Sequence, residues 1–342
     1  MNPAKADLVP VRSYQKAGVI GAGSWGTALS ILLHQNGLPV SLWAHQPQTL
    51  EDIARNRENR VYLPGIPFPE TIALEQDLAR LGDCDLLLVV TPSKAIRETA
   101  RRINASNLAE SALLLSCTKG MEIGTGLRMS EVLQQELPNH RVSVLSGPSH
   151  AEEVARRTPT AVVLASAMES EAKSLQNLFS NRFFRTYTNT DVTGVELGGA
   201  LKNIYALAAG VADGLRLGDN TKAALITRAL AEMVRIGAAS GGHQSTFYGL
   251  SGVGDLMVTC FSKHSRNRLV GERLGKGETL SEITASMQMV AEGVPTTFSV
   301  AELAQQKGLD APIVRCVKAI LLGELSPTDA LQSLLARDPR GE

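Results

Sequence analysis

The chain has 342 residues, too many for one ordinary core and enough for two domains. An apolar fraction of 44% and a charged fraction of 20% exclude an intrinsically disordered chain. Lys+Arg and Asp+Glu balance at 34 each and aromatic residues make up only 4%, so neither nucleic acid nor an anionic membrane is an expected partner, and any anion site must be local.

Residues 1–15 are polar and interrupted by proline, and read as a loose tail without the apolar core of a signal peptide. No window approaches the roughly 18 continuous apolar residues of a membrane span, so the chain reads as cytoplasmic rather than membrane-bound. Cys84, Cys117, Cys260 and Cys316 have neither redox nor metal spacing and read as buried, reduced thiols. The histidines include no i, i+4 pair, so no metal site is expected.

From Lys16 onward, short apolar runs alternate with helical text. Strands are expected at 17–20, 40–43, 85–90, 112–115 and 142–145, with two more at 160–164 and 184–187. Runs such as DLLLVV are apolar at consecutive positions, as in strands covered on both faces. After about Asp191 the strands stop. A helix is expected over 195–214, and the next, capped by Asn220 or Thr221, runs to Gly241-Gly242. Helical text continues to about Leu335. The expected architecture is α/β: a doubly wound, mostly parallel sheet over 16–190, then an all-helical domain over 191–342. A ligand would sit between them, at the carboxyl ends of the strands.

The first strand runs into Gly21-Ala22-Gly23-Ser24-Trp25-Gly26, a G-x-G-x-x-G loop followed by the helical TALSILLHQ. The first glycine makes the tight turn, the second admits a pyrophosphate to the backbone, and the third lets the helix pack on the strand. A glycine triplet alone also describes a plain strand–helix turn. The flanking strand, helix and second strand favour a Rossmann-like dinucleotide site. The second strand ends at Trp43-Ala44-His45, where an acid would hold the ribose 2′-hydroxyl of NAD. None is present, and His45 can bond either sugar, so NAD or NADP is expected, with a lean to NADP.

Hydride transfer from an alcohol needs a base for the hydroxyl proton, and the same group is the acid in reverse. Lys202 is the candidate. It stands off the apolar stripe Leu197, Leu201, Ile204, Ala208 and Val211, on a face with the small residues Gly198, Ala206 and Ala209. A lysine partly removed from water there would have its pKa lowered. An exposed lysine is the commoner fate on a helix, and the small neighbours argue against it. Ser265-Arg266-Asn267-Arg268 could clamp a phosphate, although a solvated charged turn is the ordinary alternative. Lys119 after the fourth strand, Gly147, Pro148 and Ser149 after the fifth, and Asp255 in a glycine-rich helical segment converge on the same cleft. Lys119 could hold an anion, and Asp255 a hydroxyl or Lys202 itself.

The text GAGSWGTAL, CTKGME, SGPSHAEEVA, GVELGGALKNIYALAAG, GDNTKAALITRALAEM, GLSGVGDLMVTC, SRNR and VAEGVPTT resembles the bacterial-type NAD(P)-dependent glycerol-3-phosphate dehydrogenases, from about Val19 to beyond residue 320. The resemblance implies reduction of dihydroxyacetone phosphate to sn-glycerol 3-phosphate, the backbone precursor of phospholipids. It puts Lys202 on the general acid/base position and Lys119 on a contact to both substrate and cofactor. Gly147, Ser149, Asp255, Ser265 and Asn267 match substrate contacts, and Arg266 touches both substrate phosphate and cofactor. Ser24 and Trp25 match the diphosphate loop, and Ala151, Val290 and Glu292 match further cofactor contacts. Many relatives carry arginine where His45 stands. A homodimer through the helical part is compatible with this reading. The alternatives are another Rossmann-plus-helical dehydrogenase acting on a different phosphorylated or acidic hydroxy substrate, and a non-catalytic dinucleotide-binding regulator. The latter leaves Lys202 and SRNR without a purpose.

Overall fold

The computed structural model describes residues 12–106, 108–287 and 289–336. Ten strands are present among them: Ala17–Ile20 (β1), Val40–Trp43 (β2), Glu58–Asn59 (β3), Leu63–Pro67 (β4), Ala73–Glu75 (β5), Leu86–Val89 (β6), Leu113–Ser116 (β7), Val142–Ser146 (β8), Thr160–Ala165 (β9) and Phe184–Asn189 (β10). Six helices lie among the strands: Ser24–Gln35 (α1), Pro47–Asn56 (α2), Ile96–Asn104 (α3), Met129–Glu136 (α4), Ala151–Ala155 (α5) and Glu169–Phe179 (α6). Nine follow: Val192–Gly214 (α7), Gly218–Ala239 (α8), Gln244–Phe247 (α9), Asp255–Phe261 (α10), Arg266–Gly275 (α11), Leu280–Ser286 (α12), Gly293–Gln306 (α13), Pro312–Leu322 (α14) and Pro327–Leu335 (α15).

Eight strands form one sheet in the order β10-β9-β8-β7-β6-β1-β2-β5, and β3 and β4 make a separate hairpin. Pairing is parallel throughout the large sheet except between β8 and β9. The continuous apolar runs are explained by burial on both faces. Leu86 and Leu88 enter one core with β1 and α1, while Leu87 and Val89 enter another with α3 and α4. After β1 the chain goes to β2 on one side and, later, to β6 on the other. The loops leaving β1 and β6 therefore diverge and open a crevice at their carboxyl ends. At β8 the chain turns back through α5 into the antiparallel β9, which keeps residues 147–152 at that same edge.

β3, β4 and β5 were not anticipated. They are two to five residues long, and proline, glycine and charge break any apolar run. Of the expected tail, residues 1–11 lie outside the described residues, but Arg12 to Gln15 are docked rather than loose. Arg12 donates from its backbone N to Ser174 Oγ (2.9 Å) and from its guanidinium to the carbonyls of Ser111 and Asp85. Tyr14 is buried, and Gln15 N donates to the Asp85 carboxylate. Cys84, Cys117 and Cys260 are buried and Cys316 is only half-buried. No helix among the described residues is long and apolar enough to cross a membrane.

The helical part is built around α7. It starts three residues earlier than its periodicity suggests, because Asp191 caps it by accepting from Gly194 N (2.8 Å). Its residues are small or apolar almost throughout, and it is buried nearly all round rather than along one stripe. α8 starts at Gly218, so Asn220 and Thr221 stand in its first turn instead of capping it. Arg216 and Gly218 both have positive φ, which folds the α7–α8 link tightly enough to start α8 early. Helix α11 lies against α7 at backbone contact. A Cβ on Gly210 would stand 2.0 Å from the Arg268 carbonyl, and one on Gly271 would stand 1.9 Å from the Leu207 carbonyl. This packing brings the start of α11 beside Lys202.

Candidate functional site

A cavity of about 880 Å³ lies at the carboxyl ends of β1, β2, β6 and β7, roofed by residues from α7, α10, α11 and the segment before α13. At its sheet end the three glycines occupy distinct environments. Gly21 has φ +117, a conformation costly for any side chain. A Cβ on Gly23 would meet nothing within 4 Å, and Gly23 caps α1 with no side chain over the helix end. A Cβ on Gly26 would stand 1.8 Å from the Gly21 carbonyl, so the third glycine is required by packing behind the loop. Open backbone before an uncapped helix N-terminus is the donor set that a dinucleotide pyrophosphate needs, and these residues fit one.

Two lysines and one aspartate form the far wall. The Asp255 carboxylate accepts from Lys119 Nζ (2.7 Å) on one oxygen and from Lys202 Nζ on the other. Lys119 Nζ also donates to the Gly147 carbonyl (2.7 Å) and lies 3.4 Å from Ser149 Oγ, so its three protons are all engaged. Lys202 Nζ donates to Thr259 Oγ1 (2.8 Å), whose own proton goes to the Asp255 carbonyl. One position on Lys202 Nζ is therefore left for a ligand, and Lys202 lines the cavity.

Lys202 is only 6% exposed. Burial pushes its ammonium from the ordinary 10.5 down to about 7, Asp255 pulls it back up, and Lys119 adds to the lowering. Asp255 is 1% exposed, and burial favours its neutral acid, but the charges of Lys119 and Lys202 outweigh that and lower its pKa. Lys202 and Asp255 are in direct contact, so the protonation of one is coupled to that of the other. The close approach that builds the unit is written in glycine. A Cβ on Gly198 would stand 2.5 Å from the Ser251 carbonyl, and one on Gly199 would stand 2.4 Å from Ser146 Oγ. The turn carrying Ser251 is a π-type turn, Leu250–Gly254, that feeds directly into α10 and delivers Asp255.

The expected phosphate clamp, Ser265 to Arg268, stands at the start of α11. Ser265 caps that helix by accepting from Arg268 N (3.2 Å). Arg266 faces the cavity and, among the described residues, its guanidinium makes no hydrogen bond or ion pair; Glu292 and Glu152 are the carboxylates that act on it. Arg268 is spent elsewhere, on Asp213 and Glu272. The Asn267 carboxamide donates to Asn203 Oδ1 (2.9 Å) and accepts from Gly293 N (2.8 Å), tying α11 to α7 and α13.

The structure brings Gly21, Gly23, Ser24, Trp25, His45, Lys119, Ser149, Ala151, Lys202, Ser265, Arg266, Asn267, Val290 and Glu292 to one cavity wall. Gly26, Gly147 and Asp255 stand just behind it. Glu292 is bonded to the sheet-domain residue Ser93, through its backbone N (3.0 Å) and its hydroxyl. Burial raises the Glu292 pKa.

Sequence reasoning missed Ser93, Arg102, His150, Asn203, Thr259 and His264. Thr259 is one helical turn past Asp255, a spacing that could have found it. His150 and His264 approach across the cleft with ring centroids 5.8 Å apart, and burial, then Lys202 and Lys119, lower the His150 pKa. No grouping of three or more His, Cys, Asp and Glu suited to a metal occurs among the described residues.

Residues 16–172 match the family model described as NAD-dependent glycerol-3-phosphate dehydrogenase N-terminus, and residues 191–332 match the corresponding C-terminus. The chain is 51% identical over 328 residues to a glycerol-3-phosphate dehydrogenase [NAD(P)+] of Prosthecochloris aestuarii, covering 95% of this chain and 98% of that protein. It is 48% identical over 326 residues to one of Bacillus cytotoxicus, covering 94% and 95%. The crystal structure of glycerol-3-phosphate dehydrogenase from Coxiella burnetii superposes with a TM-score of 0.91 at 40% identity, covering 94% of this chain and 99% of that one.

Proposed function

The chain belongs to the NAD-dependent glycerol-3-phosphate dehydrogenase family, and on that premise we propose how its residues divide the work. The enzyme reduces dihydroxyacetone phosphate to sn-glycerol 3-phosphate, reversibly, with NAD(P)H. Residues 16–190 hold most of the cofactor, and residues 191–342 supply the proton, the phosphate grip and the cofactor contacts of Val290 and Glu292. When bound, the nicotinamide supplies the hydride.

Arg266, with the N–H groups at the start of α11, holds the substrate phosphate, and Ser265 and Asn267 fix that helix end in place. The phosphate contact sets the C2 carbonyl near Lys202, which is where positioning lowers the barrier. Lys202 donates a proton to the C2 oxygen in reduction and removes it in oxidation. Asp255 holds Lys202 and balances its charge, and Lys119 shares that carboxylate while lining the substrate side. Ser24, Trp25, Ala151, Val290 and Glu292 border the cofactor. The observation that carries this reading is a buried lysine on the cavity wall, held by Asp255 and Thr259 with one Nζ position left for a ligand.

NADPH is the preferred cofactor on this reading, because His45 stands where an NAD-selective acid would be. The buried thiols suit the reducing cytoplasm. Exposed Tyr248, Met257, Phe261 and Leu269 support a homodimer through the helical part, which sedimentation at micromolar concentration tests. The catalytic test mixes protein with dihydroxyacetone phosphate and follows loss of absorbance of NADH and NADPH in parallel. Rapid oxidation, faster with NADPH, is expected. No oxidation with either, in folded protein, overturns the assignment.

A further inference from the structure

The sheet domain carries a cation at the cofactor crevice that neither the glycine loop nor the catalytic trio uses. Helix α3 bears three arginines, Arg97 in its first turn and Arg101 and Arg102 in its last. Arg97 is paired with Glu122 and Glu136, and Arg101 with Glu136. Arg102 has no carboxylate partner among the described residues, although Glu98 stands one turn back on the same helix and also lines the cavity. Instead Arg102 crosses to the end of β2. Its guanidinium lies over the Trp43 ring, 4.9 Å from the centroid, and Nη1 is 3.0 Å from His45 Nδ1.

The platform under it is rigid. Trp43 is 2% exposed, and its Nε1 donates to the Gln76 carbonyl (3.0 Å). A guanidinium only donates, so His45 Nδ1 accepts and Nε2 carries the ring proton. The guanidinium keeps further N–H donors free, and it is exposed to the cavity. The end of the second strand is where the adenosine ribose of a dinucleotide lies, and a 2′-phosphate there requires a cation where a 2′-hydroxyl requires an acid.

We propose that Arg102, seated on Trp43 and bonded to His45, is the cofactor-specificity residue of this enzyme, gripping the 2′-phosphate of NADPH. The proposal rests on the reading of this crevice as the dinucleotide site with NADPH preferred, and it adds a residue from α3 that β2 alone does not reveal. Removing one charge-assisted contact to a phosphate is worth about 10- to 100-fold.

The test measures kcat/KM for NADPH and NADH in wild type, Arg102→Gln and Arg102→Lys, with adenosine 2′,5′-bisphosphate and ADP as competing inhibitors. The NADPH/NADH ratio is expected to fall about 10- to 100-fold in Arg102→Gln and less in Arg102→Lys, because lysine keeps the charge but not the fork. The inhibitory advantage of the 2′-phosphate should fall in parallel. If wild type favours NADPH but the ratio survives Arg102→Gln, Arg102 is not the clamp. Equal losses with both cofactors would make it a support for Trp43 and overturn the proposal. A wild type that uses both cofactors alike and binds both inhibitors alike overturns the NADPH preference itself.

Discussion

Asp255→Asn tests whether one buried carboxylate sets the working pH of the enzyme. Asparagine keeps the shape but removes the charge that lies between Lys119 and Lys202 and raises the Lys202 pKa. Two unit charges about 4 Å apart at an effective dielectric of about 20 interact by about 4 kcal/mol. Even a third of that is about one pKa unit, at about 1.4 kcal/mol per unit. Lys119, no longer neutralised, repels the Lys202 proton in the same direction.

The sign follows from the role of the group. Reduction needs Lys202 protonated, so wild-type kcat/KM for dihydroxyacetone phosphate should be flat below about 7 and fall roughly tenfold per pH unit above it. In Asp255→Asn the break should move at least about one unit lower, making the variant's loss roughly tenfold greater at pH 8 than at pH 5.5. The oxidation profile, which needs neutral Lys202, should shift the same way and gain at low pH. The assay is a pH series at saturating NADPH. Breaking one side of a buried ion pair costs about 3–5 kcal/mol, so folding is checked by circular dichroism at the assay temperature. An unmoved break, or one moved upward, refutes the claim that Asp255 tunes Lys202.

Lys202→Ala should lower kcat by about 10²- to 10⁴-fold with the fold intact, and near-normal turnover would remove Lys202 from the acid/base role. Arg266→Ala should raise KM for dihydroxyacetone phosphate by about tenfold or more while NADPH binding changes less, read from initial rates and cofactor fluorescence. In Gly26→Ala the added methyl must displace the Gly21 carbonyl from 1.8 Å, so α1 moves off the loop. Calorimetry should find dinucleotide binding lost, and unchanged affinity would mean the loop is not the pyrophosphate cradle.

Much of the sheet was legible because its strands are buried on both faces. Such strands read as continuous apolar runs, and Leu86 to Val89 is one whose alternate residues enter opposite cores. Strand direction carries no such signal, and the antiparallel turn from β8 to β9 depends on how α5 closes the chain at the cleft edge. β5 is a three-residue edge strand whose apolar content is one leucine and one alanine. The neighbourhood of Lys202 was legible because small residues on a helix imply close backbone, and Gly198 does meet the Ser251 carbonyl. Arg102 and Ser93 gain their places from tertiary contact alone, whereas Thr259 is reachable from Asp255 by helical spacing. Arg102 stands 57 residues from His45 and in a helix whose other arginines are ordinary ion-pair formers.

The position of the proposed phosphate grip relative to the proposed proton donor follows from how α7 and α11 pack. Lys202 is on α7 and Arg266 begins α11, so their separation is set by the approach of the two helix backbones. Gly210 and Gly214 on α7 face Gly271 and Gly275 on α11, with Cβ positions that would fall within 2.5 Å of opposing carbonyls. Any side chain at these four sites would push α11 outward. A substrate held by its phosphate at the start of α11 would then carry its C2 oxygen away from Lys202 Nζ. Asn267 bonds Asn203, the residue after Lys202, and so locks the register of the two helices at the reacting end. Glycine packing sets the distance and the asparagine pair sets the register, and both are needed because a displacement of about 1 Å at a reacting centre can cost about a hundredfold in rate.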